Sequence, residues 1–256
     1  MDALQTLLKF STLNMSENQF DLSIAIPAFN EEERIGNTLE EIIRYFKYQS
    51  IYFEVIVVDD GSSDRTAEVA VKKLTAVPYQ ILKNPRNKGK GFSVRRGVLA
   101  ARGEIILFTD ADLSTPIEEF SKFQTAFQEG YDIAVGSRGS ISSQVEVRQN
   151  LMREFMGKTF NVIAQILSFR GIHDSQCGFK AFTSKAGKAL FQRQKLDGFC
   201  FDAEILFLAQ KMGFQIKEIG VRWRNSPQSK VKVIRDSLSM LFDLFRIRLL
   251  HLGEKY

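Results

Sequence analysis

Phe53-Glu54-Val55-Ile56-Val57-Val58-Asp59-Asp60-Gly61-Ser62 is the stretch that decides the fold. A run of apolar, mostly β-branched residues stops at two carboxylates, a glycine and a serine. Such a run reads as a strand covered on both faces, with polar groups placed just past its carboxyl end. The pattern repeats outward. Leu22 to Ile26 is a strand ending in Pro27-Ala28-Phe29-Asn30-Glu31, and Tyr79 to Leu82 leads through Asn84, Arg86 and Asn87 into Lys88-Gly89-Lys90-Gly91. Glu104 to Thr109 ends in Asp110-Ala111-Asp112, and Tyr131 to Val135 in Gly136-Ser137-Arg138. Helical periods lie between them: Glu31 to Phe46 with Glu31, Glu32 and Glu33 in its first turn, a helix capped by Asp64 and running to Leu74, Gly91 to Ala101, and Pro116 to Phe127. This alternation predicts an α/β fold, a Rossmann-like and mostly parallel sheet with helices on both faces. Ligands of such sheets bind beyond the carboxyl ends of the strands, so polar groups at five successive strand ends indicate a polar-ligand site.

The chain has 256 residues, 44% hydrophobic and 25% charged, the balance of a folded domain. A net charge of +5 points only weakly to an anionic partner, and no dense basic-aromatic face suggests nucleic acid. Two cysteines, Cys177 and Cys200, make no disulfide framework and suit a reducing compartment. No run of about 18 apolar residues predicts a spanning helix. The first residues hold Leu7, Leu8 and Phe10 but also Asp2 and Glu17, with no basic stretch ahead, so no signal peptide is expected and the location is cytoplasmic.

Several nucleotide and hydrolase motifs are missing. There is no G-x-G-x-x-G after the first strand, no G-x-x-x-x-G-K-[ST] and no G-x-S-x-G, which disfavours dinucleotide dehydrogenases, P-loop enzymes and serine hydrolases. The sharpest feature is Asp110-x-Asp112. Two carboxylates just past a strand can hold a hard cation such as Mg²⁺, which takes one or two carboxylates plus substrate phosphate oxygens. They can equally cap the helix after Pro116. Asp59 and Asp60 can accept from a base or ribose, or cap the helix entered at Asp64. Lys88 to Gly91 can bring amides and ammonium groups to a diphosphate, or form a solvated loop.

The second half reads differently. Arg148 to Phe169 is amphipathic, with Met152, Phe155, Met156, Phe160, Ile163 and Leu167 on one face. A polar loop with His173-Asp174-Ser175-Gln176 precedes Gly178 to Phe182; Asp202 to Met212 reads as a helix and Gln215 to Arg222 as a strand. Val231 to Leu252 closes the chain as a helix with Ile234, Leu238, Leu241, Phe242, Phe245, Leu249 and Leu252 in one stripe. A central Arg or Asp costs roughly 2.5–3.5 kcal/mol in a membrane, so this helix is expected to lie in a membrane interface rather than span it. Packing on the sheet is the ordinary alternative. The expected organisation is an N-terminal extension over 1–20, one catalytic domain over 21–230 and an amphipathic helix over 231–256.

Ala25-Ile26-Pro27-Ala28-Phe29-Asn30-Glu31, Val57 through Asp64, Asn87-Lys88-Gly89-Lys90-Gly91 and Asp110-Ala111-Asp112 together resemble the family 2 inverting glycosyltransferases of the GT-A fold, over roughly residues 22 to 138. Asp174-Ser175-Gln176-Cys177-Gly178-Phe179-Lys180, Phe201-Asp202-Ala203-Glu204 and Trp223-x-Asn225-Ser226-x-x-Ser229-Lys230-Val231 resemble the dolichyl-phosphate β-glucosyltransferases, with the corresponding mannosyltransferases more distant. Leu113-Ser114 departs from the mannosyltransferases, which carry a metal-assisting glutamine there.

The resemblance implies transfer of a hexose, glucose first and mannose from GDP-mannose second, from a nucleotide-diphosphate sugar such as UDP-glucose to a polyprenyl or dolichyl phosphate. It implies Mg²⁺ or Mn²⁺ on Asp110 and Asp112, and Lys88 and Lys90 holding the donor. Pro27, Ala28, Asn30 and Glu31 would flank the nucleobase, with Asp59 and Asp60 near base or ribose. Two anions must be held close together, for which Arg138, Arg148 and Lys230 are the acceptor-phosphate candidates, and Arg153 is a weaker one beside the lipid. Asp202 would orient a sugar hydroxyl, act as base toward a hydroxyl acceptor, or cap its helix. A soluble transferase using hydroxyl acceptors and a non-catalytic nucleotide-sugar-binding protein are the other readings. Peripheral association with the cytoplasmic face of a membrane is expected.

Overall fold

Alternate residues of the central strands serve two cores, and this makes the sheet a layer covered on both sides. A computed structural model describes residues 19–139, 143–147, 151–224 and 233–254. On β2 (Phe53–Asp59), Ile56 and Val58 join one core while Val55 and Val57 join the other. β4 (Gly103–Thr109) divides Ile106 and Phe108 from Leu107 in the same way. The first core takes helices α3 (Lys90–Ala100), α6 (Ser184–Arg193), α7 (Phe201–Lys211) and α8 (Val233–Leu250). The second takes α1 (Ile35–Phe46), α2 (Thr66–Leu74) and α4 (Phe120–Gln128).

With β1 (Phe20–Ala28), β3 (Tyr79–Lys83), β5 (Ile133–Ser137), β7 (Phe179–Thr183) and β8 (Ile216–Gly220), the sheet runs β3-β2-β1-β4-β7-β5-β8. Its neighbours are parallel except that β7 runs antiparallel to both β4 and β5. The mostly parallel expectation therefore holds, and β7 is an insertion that the sequence reading did not place in the sheet. β1 tolerates Pro27 in a central strand because its pairing with β4 ends at Ala25 opposite Phe108. A second, two-stranded parallel sheet joins β6 (Gln144–Val147) to β9 (Arg222–Arg224).

Several boundaries differ from expectation. Helix α1 begins at Ile35, so Glu31, Glu32 and Glu33 precede it instead of lining its first turn. The chain there is held away from helix by its neighbours: Glu31 N–H donates to the Thr66 hydroxyl at 2.8 Å and Glu32 N–H to Asp64 at 3.2 Å. After Pro116 comes a short 3-10 turn, Ile117–Glu119, before α4. The expected strand through Arg222 breaks at Val221, whose N–H returns to the Ser137 carbonyl at 3.1 Å.

α5 (Leu151–Leu167) packs against α8. The apolar face read for Arg148 to Phe169 is turned inward where described: Phe160, Ile163 and Leu167 lie against the first core, and Val162 and Ile166 are the exposed apolar residues. α8 is apolar on two faces. Met240, Leu244 and Ile247 are buried, and Leu241 of the expected stripe packs with them against the first core, while Phe242, Phe245 and Leu249, with Leu252 just past the helix, are exposed. Among the described residues no helix is long and apolar enough to cross a membrane.

Candidate active site

The turn after β4 presents two carboxylates, each beside a cation. Asp110 Oδ1 lies 2.6 Å from Lys90 Nζ. Asp112 accepts from Ser114 N–H at 3.0 Å, and its other oxygen faces Arg34 Nη1 at 3.7 Å. Arg34 itself forks onto Glu31, which ties the end of β1 to the Asp112 turn. The Thr38 hydroxyl on α1 donates to the Ala111 carbonyl at 2.6 Å. Side-chain exposures of 32% for Asp110 and 21% for Asp112 leave both carboxylates open to solvent. Gly178 is required beside them, because a Cβ there would sit 1.9 Å from Asp110 Oδ2.

Among the described residues the non-glycine residues with positive φ are Asn30, at 54°, and Leu113, at 44°. One ends β1 and the other lies in the Asp112 turn. Conformations of this kind persist where surrounding structure imposes them, and they gather at functional sites.

A buried charge sequence extends inward from Asp110. Lys180, on β7 and almost wholly buried, pairs with Asp202 at 2.7 Å and donates to the Cys177 carbonyl. Both ammonium groups, of Lys90 and of Lys180, lie over the Phe108 ring at 5.4 and 5.9 Å from its centroid. Burial pushes the Asp202 carboxyl above its usual range, with Lys180 and Lys90 only partly offsetting it. Burial works to lower the Lys90 ammonium, but Asp110, Asp202 and Asp112 outweigh it and hold the group above its usual value.

The turn after β2 is put to a different use. Asp60 accepts from Asn84 Nδ2 at 2.6 Å and Lys88 N–H at 2.9 Å on one oxygen, and from Gly89 N–H at 2.9 Å on the other. The Lys88 and Gly89 amides, expected to face a diphosphate, are thus turned onto Asp60. Asp60 holds the Lys88 loop in place, a task its sequence position did not indicate. Asp59 accepts from Ser62 N–H at 2.9 Å, and Asn30 is stitched to Ser62 and Ser63. Helix α2 starts at Thr66 with Arg65 at its N-cap and no side-chain cap, so Asp64 is not the cap expected; it stands one residue earlier and accepts from Thr66 N–H at 3.0 Å. Ala28 is buried, its carbonyl taking Asp60 N–H; Pro27 is half-buried and the Lys88 side chain is exposed. Gly61 (φ +75°) allows close passage of Arg86, whose backbone a Cβ would meet at 2.5 Å.

At the tip of β5, Arg138 forks onto Asp174 with distances of 2.7 and 2.8 Å, and its N–H binds the same carboxylate at 2.9 Å. Burial lowers the guanidinium's pKa, and Asp174 more than reverses this. The expected anion-binding arginine therefore already carries an internal counter-ion, and it also lies over Trp223 at 5.4 Å. Glu218 fixes the Asp174 loop through the amides of His173 and Asp174. Arg148 and Lys230 lie outside the described residues, as does the side chain of Arg153. Burial pushes the Cys177 thiol up to about 11.

Sequence reasoning assigned no role to Arg34, Asp174 or Lys180. A lysine inside the apolar run Phe179-Lys180-Ala181-Phe182 was the available signal for the last, since a buried lysine needs a counter-ion. Asp110 and Asp112 suit a hard divalent cation: both are partly exposed, and Asp110 already holds a cationic group. Among the described residues no cluster of three His, Cys, Asp or Glu could hold a metal ion. A cavity of about 490 Å³ lined by Ser168, Phe207, Arg248 and His251 lies under α8 and contains none of these groups. The chemistry collects at the strand tips instead.

The sequence model of the family described as Glycosyl transferase family 2 matches residues 23–191. A dolichyl-phosphate beta-glucosyltransferase of Dictyostelium discoideum is 33% identical over 260 residues, covering 95% of this chain and 80% of that protein. The Saccharomyces cerevisiae protein of the same description is 34% identical over 262 residues, covering 93% and 78%. The human one is 33% identical over 245 residues, covering 90% and 76%. Among solved structures, glucosyl-3-phosphoglycerate synthase from Mycobacterium tuberculosis in complex with UDP aligns with a TM-score of 0.65 at 19% identity, covering 93% of this chain and 82% of that one. The same enzyme with Mn²⁺, UDP-glucose and phosphoglyceric acid aligns at 0.64 and 19%, with the same coverage.

Proposed function

From the premise that this chain belongs to glycosyl transferase family 2 and is a glycosyltransferase, we propose that it moves glucose from UDP-glucose to a polyprenyl phosphate, dolichyl phosphate in particular, with inversion and with the help of Mg²⁺ or Mn²⁺. The observation that carries the reading is the charge cluster at the β4 tip, where Asp110, Asp112, Lys90 and Asp202 are gathered. It is set in a chain similar over most of its length to dolichyl-phosphate beta-glucosyltransferases of several eukaryotes. The solved structure with Mn²⁺ and UDP-glucose on the same fold supports the metal and the donor.

In this reaction an oxygen of the lipid phosphate bonds to the anomeric carbon as the bond from that carbon to the diphosphate breaks. Asp110 and Asp112 would hold a divalent cation, which when bound would supply Lewis-acid neutralisation of the charge left on the departing nucleotide. The acceptor has a second pKa of about 6 and is already ionised at neutral pH, so no general base is needed. Asp202 fits that requirement: paired with buried Lys180, it orients rather than deprotonates. Pro27, Ala28, Asn30 and Glu31 flank the nucleobase, with Asp59 beside them. Asp60 acts through the Lys88 loop, Lys88 faces the diphosphate, and Lys90 stands against the Asp110 carboxylate at 2.6 Å. Arg138 receives the lipid phosphate together with Arg148 and Lys230, its fork onto Asp174 fixing where its charge sits.

The exposed apolar residues Phe242, Phe245, Leu249 and Leu252, and Val162 and Ile166 on the neighbouring helix α5, support peripheral seating on the cytoplasmic face of the membrane that holds the acceptor. The test incubates purified protein with labelled UDP-glucose or GDP-mannose, Mn²⁺ and short-chain polyprenyl phosphate. Lipid-linked glucose that disappears with EDTA is expected. Lipid-linked mannose would reassign the donor, and transfer to a hydroxyl acceptor alone would overturn the lipid-phosphate reading.

A further inference from the structure

Lys90 is in the wrong place for a metal that binds Asp110. Its ammonium occupies Oδ1 at 2.6 Å, and an ammonium and a divalent cation sharing one carboxylate repel strongly in a partly buried site. Asp112 poses no such obstacle, since Arg34 stands 3.7 Å from it and is forked onto Glu31. The fold places a further carboxylate, Asp202, near this ammonium. The start of α3 is pressed onto the start of α7: a Cβ on Gly91 would lie 2.7 Å from Phe201 Cβ. Lys90 precedes the first of these residues and Asp202 follows the second.

Asp202 is suited to receive it. It is buried, and the Lys180 ammonium pairs with its Oδ1 at 2.7 Å. The face of Phe108 already carries both ammonium groups and lies along the way.

We propose that Lys90 is the resident counter-cation of the metal site, displaced from Asp110 when a divalent cation binds and taken up by Asp202. Lys90 and Asp202 are then positioning residues that set metal affinity. The proposal rests on the metal assistance in the reading above and is independent of the sugar and the acceptor.

The test titrates Mn²⁺ into the full chain without nucleotide or lipid and follows free Mn²⁺ by electron paramagnetic resonance. Lys90→Met is expected to bind Mn²⁺ about tenfold tighter than the parent, since the competing cation is gone. Asp202→Asn is expected to weaken binding severalfold, because the displaced ammonium loses its acceptor. In the double variant the Asp202→Asn effect should vanish. Unchanged or weaker binding by Lys90→Met, or an Asp202→Asn effect that persists in the double variant, overturns the proposal.

Should Lys90→Met lose its fold, the parent protein supplies a second measurement. The Lys90 side-chain methylene resonance, assigned with Lys90→Gln, should shift on Mg²⁺ addition and saturate with it. A resonance that stays fixed at saturating Mg²⁺ contradicts the exchange. Failure of Mn²⁺ to bind any of these proteins overturns the exchange, and EDTA-insensitive transfer would show separately that metal assistance itself is wrong.

Discussion

The turns after β2 and β4 each carry two carboxylates, and the structure uses them in opposite ways. Asp60 is enclosed by its own chain: two backbone amides and an asparagine satisfy it, and none of these donors can leave without unmaking the Lys88 loop. Asp110 and Asp112 face side-chain cations, of which Lys90 is long, flexible and replaceable. A carboxylate satisfied by backbone is scaffold, whereas one neutralised by a mobile ammonium can exchange partners. Position at a strand tip does not separate the two cases. The identity of the donors does.

The sharpest way to break this contrast is to remove one acid from each tip. Asp112→Ala should lower turnover by at least about a thousandfold, the scale seen when groups that neutralise developing charge are lost, and should shift stability by no more than about 0.5 kcal/mol. Wild-type turnover in that variant would end the metal assignment. Asp60→Ala should act mainly on the fold. It strands buried donors, at a cost of roughly 2–4 kcal/mol, and thermal denaturation would read this as a midpoint roughly 5–15 °C lower.

Gly178→Ala lies between these cases. Its Cβ would overlap the Asp110 carboxylate at 1.9 Å, so turnover should fall by more than about tenfold alongside a stability loss of roughly 1–3 kcal/mol. A Gly178→Ala enzyme with parental kinetics would mean that Asp110 is free to move without consequence.

The β5 tip adds a pH arm. Burial raises the Asp174 carboxyl, and Arg138 overcomes it and holds the group below its usual value of 3.8. A depressed folded value means that the pair stabilises the protein above the unfolded carboxyl's range, and that this stability is lost as pH falls through the folded value. Melting curves of the parent and of Asp174→Asn should therefore converge as pH drops below about 3.8 and diverge above it. The smallest expected effect is at α8. Phe245→Ser and Leu249→Ser should weaken binding to anionic vesicles and leave the unfolding free energy within about 0.5 kcal/mol of the parent, because both residues are already exposed.

The parallel part of the sheet was legible because β1, β2, β4 and β5 are apolar on both faces and end in polar residues. β7 was not. Its lysine interrupts the apolar pattern, and Lys180 can be buried only because Asp202, on a helix later in the chain, arrives to pair with it. Arg138 shows the same limit: its charge was legible, but its partner Asp174 comes from a loop that only the tertiary fold brings near. Charged side chains could be named from sequence at the strand tips, but their pairings depend on approach between distant segments. α8 shows a further case. Of its expected stripe, Phe242, Phe245, Leu249 and Leu252 are exposed but Leu241 packs on the core, while Met240, Leu244 and Ile247 on the inner face became visible only once the helix was seen packed there.

The most direct measurement compares Asp60→Asn and Asp112→Asn in one preparation, recording thermal midpoint and the rate of glucose transfer per folded molecule. The expected result is a crossed pattern: the first variant melts early but turns over once folded, and the second melts like the parent but is inactive. Equal loss of both properties in both variants would contradict the division of labour between the two turns.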